Sequence, residues 1–226
     1  MTTLLRLDSS ARRSRSLTRS LGDNFQREWE RQRPQDRWIT RDLASEPPAH
    51  ISEDWISAAF TPATSRTPEQ KTVLVPSDRL IDELEEADII LLNAPMYNSG
   101  MPSALKAWLD NVVRIGRTFS FDLARGDFPL EAMLSGKQMV LLTSAGEFGF
   151  APGGVRHALD HLVPHVEAIR HYLGAGRLHV IRAEYQEFGD SRHENSVGEA
   201  RAASMALAKK LARETGTRAP QKGSPT

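Results

Sequence analysis

The sequence predicts an α/β protein, a five-stranded parallel sheet of order 2-1-3-4-5 with helices on both faces, and three observations predict it. Five short apolar segments alternate with segments of helical period, the pattern of parallel strands joined by crossover helices. Two of them, Ile89-Ile90-Leu91-Leu92 and Gln138-Met139-Val140-Leu141-Leu142-Thr143, are near-continuous apolar runs, as strands covered on both faces are. The stretches near residues 9–16, 94–99 and 144–147 each follow a strand, and in this strand order they line one crevice at the carboxyl edge of the sheet.

The 226 residues suit one domain, 1–214, followed by a polar tail, 215–226, that contains two prolines and is expected to be flexible. Lys+Arg and Asp+Glu both number 29, so no global field recruits nucleic acid or a membrane surface. The absence of cysteine excludes disulfides, thiolate metal sites and a thiol nucleophile. The apolar run at the N-terminus is too short for a signal peptide and no segment is long enough to span a bilayer. A soluble, cytoplasmic protein is the expectation.

In chain order, Leu4 to Asp8 reads as the first strand, and Leu17, Leu21 and Phe25 recur every four residues on the helix after it. Between them lies Ser9-Ser10-Ala11-Arg12-Arg13-Ser14-Arg15-Ser16, rich in hydroxyls and guanidinium groups. Such a strand-to-helix turn presents backbone N–H groups to an anion. Capping of the helix by Ser14 or Ser16 explains the same residues equally well, since there is no Walker lysine and no G-x-G-x-x-G.

Arg37 to Leu43 alternates as a second strand, and a Pro-containing connection carries a short helix with Trp55, Ile56 and Phe60. Thr67-Pro68-Glu69-Gln70 has the form of a capping box with proline at the first helical position. The helix it opens is expected to kink or break at Pro76 before resuming from Asp78 to Glu85. Arg117 to Phe121 reads as a hairpin arm, Leu178 to Ala183 as the fifth strand, and Ala200 to Arg213 as the last helix. A helix is expected from about Val155 to Tyr172.

The central stretch is Ala94-Pro95-Met96-Tyr97-Asn98-Ser99-Gly100-Met101-Pro102, between the third strand and a helix from Ser103 to Val113. Pro95-Met-Tyr-Asn98 running into Pro102-Ser-Ala-Leu-Lys-Ala-Trp-Leu-Asp110 is the most specific motif in the chain. Three others accompany it: Asp8-Ser-Ser10 with Ser14-Arg-Ser16, Gly116-Arg-Thr-Phe119, and Thr143-Ser-Ala-Gly146. In these residues the chain resembles the FMN-dependent NADH azoreductases of the flavodoxin-like superfamily, relatives of the quinone reductases, over roughly residues 3 to 184.

The resemblance implies a flavodoxin-like three-layer fold, FMN as cofactor, NADH or NADPH as donor, a quinone or azo compound as acceptor, and a homodimer. It implies that Ser10, Ser14, Arg15 and Ser16 hold the phosphate. Met96, Tyr97, Asn98 and Ser99 would follow the isoalloxazine edge, with Ser144, Ala145, Gly146 and Glu147 on its pyrimidine side. Donors aimed at N1/O2 would stabilise the reduced flavin, so no protein nucleophile and no catalytic acid or base is nominated. Phe119, Phe121 and Tyr172, with Trp55 or Phe60 contributed across the dimer interface, are candidate walls of the acceptor pocket.

The chain departs from the family pattern in three places. Ser99 stands where relatives often have phenylalanine, Ser144-Ala-Gly-Glu147 where they usually read Ser-Arg-Gly-Gly, and Gly174-Ala-Gly-Arg-Leu178 where they have Gly-Phe-Ile-Gly-Ile. The Glu147 side chain is expected to turn to solvent or meet Arg156, leaving its backbone towards the ring. These departures bear on acceptor range more than on flavin binding.

His157, His161 and His165 are four apart on the expected 155–172 helix, with Asp160 beside them, a spacing that can bind zinc. Pro164 and the lack of a His-Glu pairing favour a solvated or interface face, and no metal is assigned. Two other functions fit the same loops. One is an electron carrier or redox-sensing module without its own substrate, against which the balanced charge argues. The other is a relative that has lost flavin through Ser99 and Glu147 and binds another phosphate ligand.

Overall fold

The computed structural model describes residues 1–217, and the part of the expected tail from 218 to 226 lies outside the described residues. The elements run β1 (Thr3–Asp8), α1 (Leu17–Gln32), β2 (Arg37–Asp42), α2 (Glu53–Phe60), α3 (Pro68–Glu86), β3 (Ile89–Pro95) and α4 (Ser103–Val112). They continue with β4 (Phe119–Phe121), β5 (Leu130–Ala132), β6 (Lys137–Ser144), α5 (Val163–Ile169), β7 (Ala175–Ala183) and α6 (Ser191–Thr217). The main sheet is parallel throughout, in the order β2-β1-β3-β6-β7, which is 2-1-3-4-5 of its own strands. β4 and β5 form a separate antiparallel hairpin, as the Arg117–Phe121 alternation suggested.

Two apolar layers explain why the sheet is central. On one face Leu5, Leu7, Ile90, Leu92, Met139 and Leu141 pack against Leu80, Ile81 and Leu84 of α3, Trp108 of α4 and Val166 of α5. On the other, Leu4, Ile89, Leu91, Val140 and Leu142 meet Phe25 and Trp29 of α1 and Ala208 and Leu211 of α6. Every residue of β3 is buried, as a doubly covered parallel strand requires.

The structure corrects three helices. The last, α6, starts at Ser191 rather than Ala200 and continues to Thr217, so the first residues of the expected tail are helical. α3 does not break at Pro76 but runs unbroken through it. Interior proline costs about 3 kcal/mol; here Leu74, Ser77 and Leu80 around it are buried, and Ser77 Oγ donates to the Asn111 carbonyl at 2.6 Å while accepting from Arg114 Nη1 at 2.8 Å. Packing against α4 therefore holds the helix together across the missing donor. The capping box at Thr67 is present in both directions.

The second correction concerns the single helix expected over 155–172. Residues His157–Leu159 form one 3₁₀ turn, and α5 starts only at Val163. The cause is the buried Asp160 carboxylate, whose Oδ1 accepts from the Leu162 and Val163 amides at 3.0 and 2.9 Å, with Pro164 in the first turn. His157, His161 and His165 thus do not share one helical face, and among the described residues no group of three His, Cys, Asp or Glu could hold a metal. No described helix is long and apolar enough to cross a membrane.

Candidate functional site

The loop after β1 is held from below. Arg19, in the first turn of α1, donates to the carbonyls of Ser10 at 2.9 Å and Arg12 at 3.1 Å, and to Asp42 at 2.6 Å. Burial opposes the charge on Arg19, but the Asp42 hydrogen bond and the nearby Asp8 outweigh it and raise its pKa above the ordinary guanidinium value. Ser16 is the N-cap, its Oγ accepting from the Arg19 amide at 3.3 Å. Among the described residues the amides of Ser14, Arg15 and Ser16 donate to no other group of the chain. Arg12, Arg13 and Arg15 are exposed and make no ion pair among the described residues.

The loop after β3 is a two-residue turn. Tyr97 and Gly100 exchange both backbone hydrogen bonds at 2.9 Å, and the residues between them, Asn98 and Ser99, have φ of 48° and 64°. Left-handed conformation at both central positions is the type I′ geometry. The turn is tied to its neighbours, since Tyr97 Oη accepts from the Ala11 amide at 3.3 Å and the Ser99 carbonyl from the His161 amide at 2.9 Å.

The loop after β6 is clamped by the segment after β7. The amides of Tyr185, Gln186 and Glu187 donate to the carbonyls of Glu147, Ala145 and Gly146, and the Glu184 carboxylate accepts from the amides of Gly149 at 2.9 Å and Phe150 at 3.1 Å. A Cβ at position 146 would stand 2.6 Å from Glu187 Cγ, so any side chain there would displace the exposed Glu187 side chain. Outside the clamp, Phe148 stacks on Tyr185 with centroids 4.6 Å apart, and Arg156 lies 4.6 Å above the Phe148 ring.

These loops line one open cleft of about 160 Å³ at the carboxyl edge of the sheet. Of the residues named from sequence, Ser10, Arg15, Ser16, Met96, Tyr97, Ser144 and Gly146 line it. Ser14, Asn98, Ser99 and Glu147 lie on the same loops without lining the cleft, and Ala145 lines a smaller cavity behind it. Glu147 Oε2 pairs with Arg156 Nε at 3.2 Å. Sequence reasoning missed Arg12, Leu17, Pro95, Gln186 and Glu187 as lining residues. The signal for the last two was available, because Glu184–Phe188 also follows a parallel strand and so reaches the same edge.

The five proposed acceptor-pocket residues do not line the cleft within this chain. Trp55 packs on Ala58, Ala59 and Leu74, while Phe60 is 67% exposed. Phe119 and Tyr172 contact each other with centroids 5.5 Å apart, and Phe121 is half exposed.

A family model described as a flavodoxin-like fold matches residues 2–207. The chain is 49% identical over 222 residues to FMN-dependent NADH:quinone oxidoreductase 2 of Idiomarina loihiensis, covering 95% of this chain and 92% of the relative. It is 50% identical over 218 residues to the protein of the same name from Colwellia psychrerythraea, covering 93% of this chain and all of that relative. In structure it is similar to an azoreductase from Bacillus anthracis, with a TM-score of 0.82 over 93% of this chain and 100% of that one; at 20% identity this is a likeness of fold. The chain therefore belongs to the flavodoxin-like family of FMN-dependent NADH:quinone oxidoreductases.

Proposed function

We propose that the protein is an FMN-dependent oxidoreductase that passes two electrons from NADH or NADPH to a quinone or an azo compound, donor and acceptor using the same cleft in turn. The observation that carries this reading is the convergence of the loops after β1, β3, β6 and β7 on one cleft whose two ends differ in chemistry. At the α1 end are unpaired amides, a helix N-terminus, Ser10, Ser16, Arg12 and Arg15, a donor set suited to a phosphate. Along the rest run Pro95, Met96, Tyr97, Ser144, Gly146 and Gln186, a wall of backbone and neutral surface that suits a flat heterocycle, with Glu187 its one carboxylate. The residues present thus fit FMN, which supplies the hydride chemistry when bound.

The chain's own part is binding and orientation. Ser10, Arg15 and Ser16 hold the phosphate, with Ser14 contributing its amide. Met96, Tyr97, Asn98 and Ser99 present the β3 loop to the ring edge. Ser144, Ala145, Gly146 and Glu147 do the same from the β6 loop. Backbone donors there stabilise negative charge on the reduced ring without a titrating side chain. A homodimer, working in the cytoplasm, would bring Trp55 or Phe60 of one subunit towards the other's cleft, where Phe119, Phe121 and Tyr172 complete the acceptor's surroundings.

The deciding experiment is an absorbance spectrum after incubation with FMN and desalting, followed by NADH oxidation with and without added benzoquinone. Retained flavin and benzoquinone-dependent turnover are expected. A colourless protein sinks the flavin reading, and retained flavin without turnover would make the protein an electron carrier.

A further inference from the structure

Behind the cleft wall, on the α5 face of the sheet, lies a second cavity lined by Met96, Thr143, Ala145, Phe150, Arg182 and Glu184. Two of these residues carry polar atoms that are buried and have no partner among the described residues, Thr143 Oγ1 and Arg182 Nε. Thr143 is 3% exposed. The pairing of β6 with β7 sets the two residues side by side, because Thr143 and Arg182 are register partners. Leaving a buried hydroxyl and a buried guanidinium N–H unsatisfied is costly, and native structures rarely do so. The cavity leaves about 10 Å³ for the centre of a water molecule, roughly the room for one.

We propose that this cavity is a binding site for a single water molecule, shared by Thr143, Arg182 and Glu184, and that it braces both loops of the cleft. The hydrogen-bond chemistry closes. Arg182 Nε donates to the water, and the Thr143 hydroxyl donates or accepts. The Glu184 oxygens, each already taking one amide from Gly149 or Phe150, keep further lone pairs for it. An anion is disfavoured, since Arg182 already faces Asp160 at 3.3 Å and Glu184 adds a second carboxylate. Met96 and Ala145, whose loops line the main cleft, also line this cavity. Thr143 and Arg182 are therefore positioning residues. This bracing role rests on the FMN reading above; the site itself does not.

The test uses Thr143→Val, which keeps the shape and removes the hydroxyl, with Thr143→Ser as the conservative control. If the water is bound, T143V breaks its hydrogen bonds and lowers the urea midpoint of the protein as purified, and T143S restores it. A dry cavity gives the opposite sign, because removing an orphaned hydroxyl stabilises. A midpoint that rises or stays unchanged overturns the site, as does a high-resolution crystal structure without ordered density between Thr143 Oγ1 and Arg182 Nε. For the brace, T143V should weaken FMN binding by about fivefold, the loss of one net hydrogen bond, read by quenching of flavin fluorescence, and T143S should recover it. Unaltered FMN affinity with the water present overturns the brace. Wild-type protein that binds no FMN sinks the proposed function instead, while the midpoint and the crystal structure still decide the site.

Discussion

Gly22 of α1 lies against Asn93 of β3 so closely that a Cβ at position 22 would stand 2.5 Å from Asn93 Nδ2. The amide cannot easily retreat, because Nδ2 donates to Asp8 Oδ1 at 2.7 Å and Asp8 is itself held by Arg6 Nε at 3.1 Å. The contact sets how near α1 comes to the sheet just below the cleft.

Gly22→Ala pits helix propensity against packing. Alanine favours a helix interior by about 1 kcal/mol over glycine, whereas overpacking a rigid site costs about 1–3 kcal/mol. Because Asn93 is pinned, packing wins, and urea unfolding should show a net loss of about 1 kcal/mol. A gain in stability would mean that Asn93 swings aside and that the Asp8 hydrogen bond is weak.

Ser99 sits at φ 64° in the second central position of the β3 turn, where a Cβ is unfavourable. Ser99→Gly should raise stability by about 0.5–1 kcal/mol by relieving that strain, and Ser99→Val should lower it. The backbone bond from the His161 amide to the Ser99 carbonyl survives either change. Thermal unfolding of the two variants checks the order Gly, Ser, Val; serine above glycine would show that the hydroxyl contributes more than the strain removes.

The sheet was readable in the sequence because its strands are covered on both faces and so stand out as apolar runs. The parallel sheet and the three loops at its edge followed from that, while the order 2-1-3-4-5 came with the resemblance. The helices were less readable where tertiary contacts decide them. Nothing local to Val75-Pro76-Ser77 announces that Ser77 anchors to Asn111 and Arg114, which keeps α3 whole. The four-residue histidine spacing imitated a helix that the Asp160 cap prevents until Val163. At the site, Met96 and Tyr97 of the Pro-Met-Tyr-Asn motif line the cleft and Asn98 does not, while Gln186 and Glu187 reach it because β7 pairs with β6 and ends at the same edge, a placement that their own residue types do not announce.

The Arg19–Asp42 pair makes stability depend on acid pH. Burial alone would push the Asp42 carboxyl up, but the hydrogen bonds from Arg19 and Ser45 outweigh it and hold its pKa down to about 2. A carboxyl whose folded pKa lies below its unfolded value near 3.8 contributes stability above that unfolded value. The contribution falls away as pH drops from about 4 towards 2. Asp42→Asn should therefore flatten this part of the curve of urea midpoint against pH. An identical pH slope in the variant would assign the acid sensitivity elsewhere.

Glu147 and Arg156 give the last prediction, which bears on redox tuning. The pair is partly exposed, with side chains 54% and 27% accessible, so its loss should change stability by less than about 1 kcal/mol. Its charge balance matters more than its strength. Glu147 follows Gly146 of the cleft wall, and Arg156 neutralises it while stacking on Phe148. With Arg156→Ala the carboxylate is left uncompensated near the ring, where it opposes the negative charge of reduced flavin. On the proposed reading the two-electron midpoint potential should fall by on the order of 20 mV, the equivalent of about 1 kcal/mol. Adding Glu147→Gln to Arg156→Ala should bring it back, because both charges are then gone, while the stacking contact and the Arg156 hydrogen bond to the Phe148 carbonyl are lost in both variants. Spectroelectrochemical titration of the three proteins checks this. A potential that stays at the wild-type value in Arg156→Ala would mean that Glu147 is too well solvated for its charge to reach the cleft.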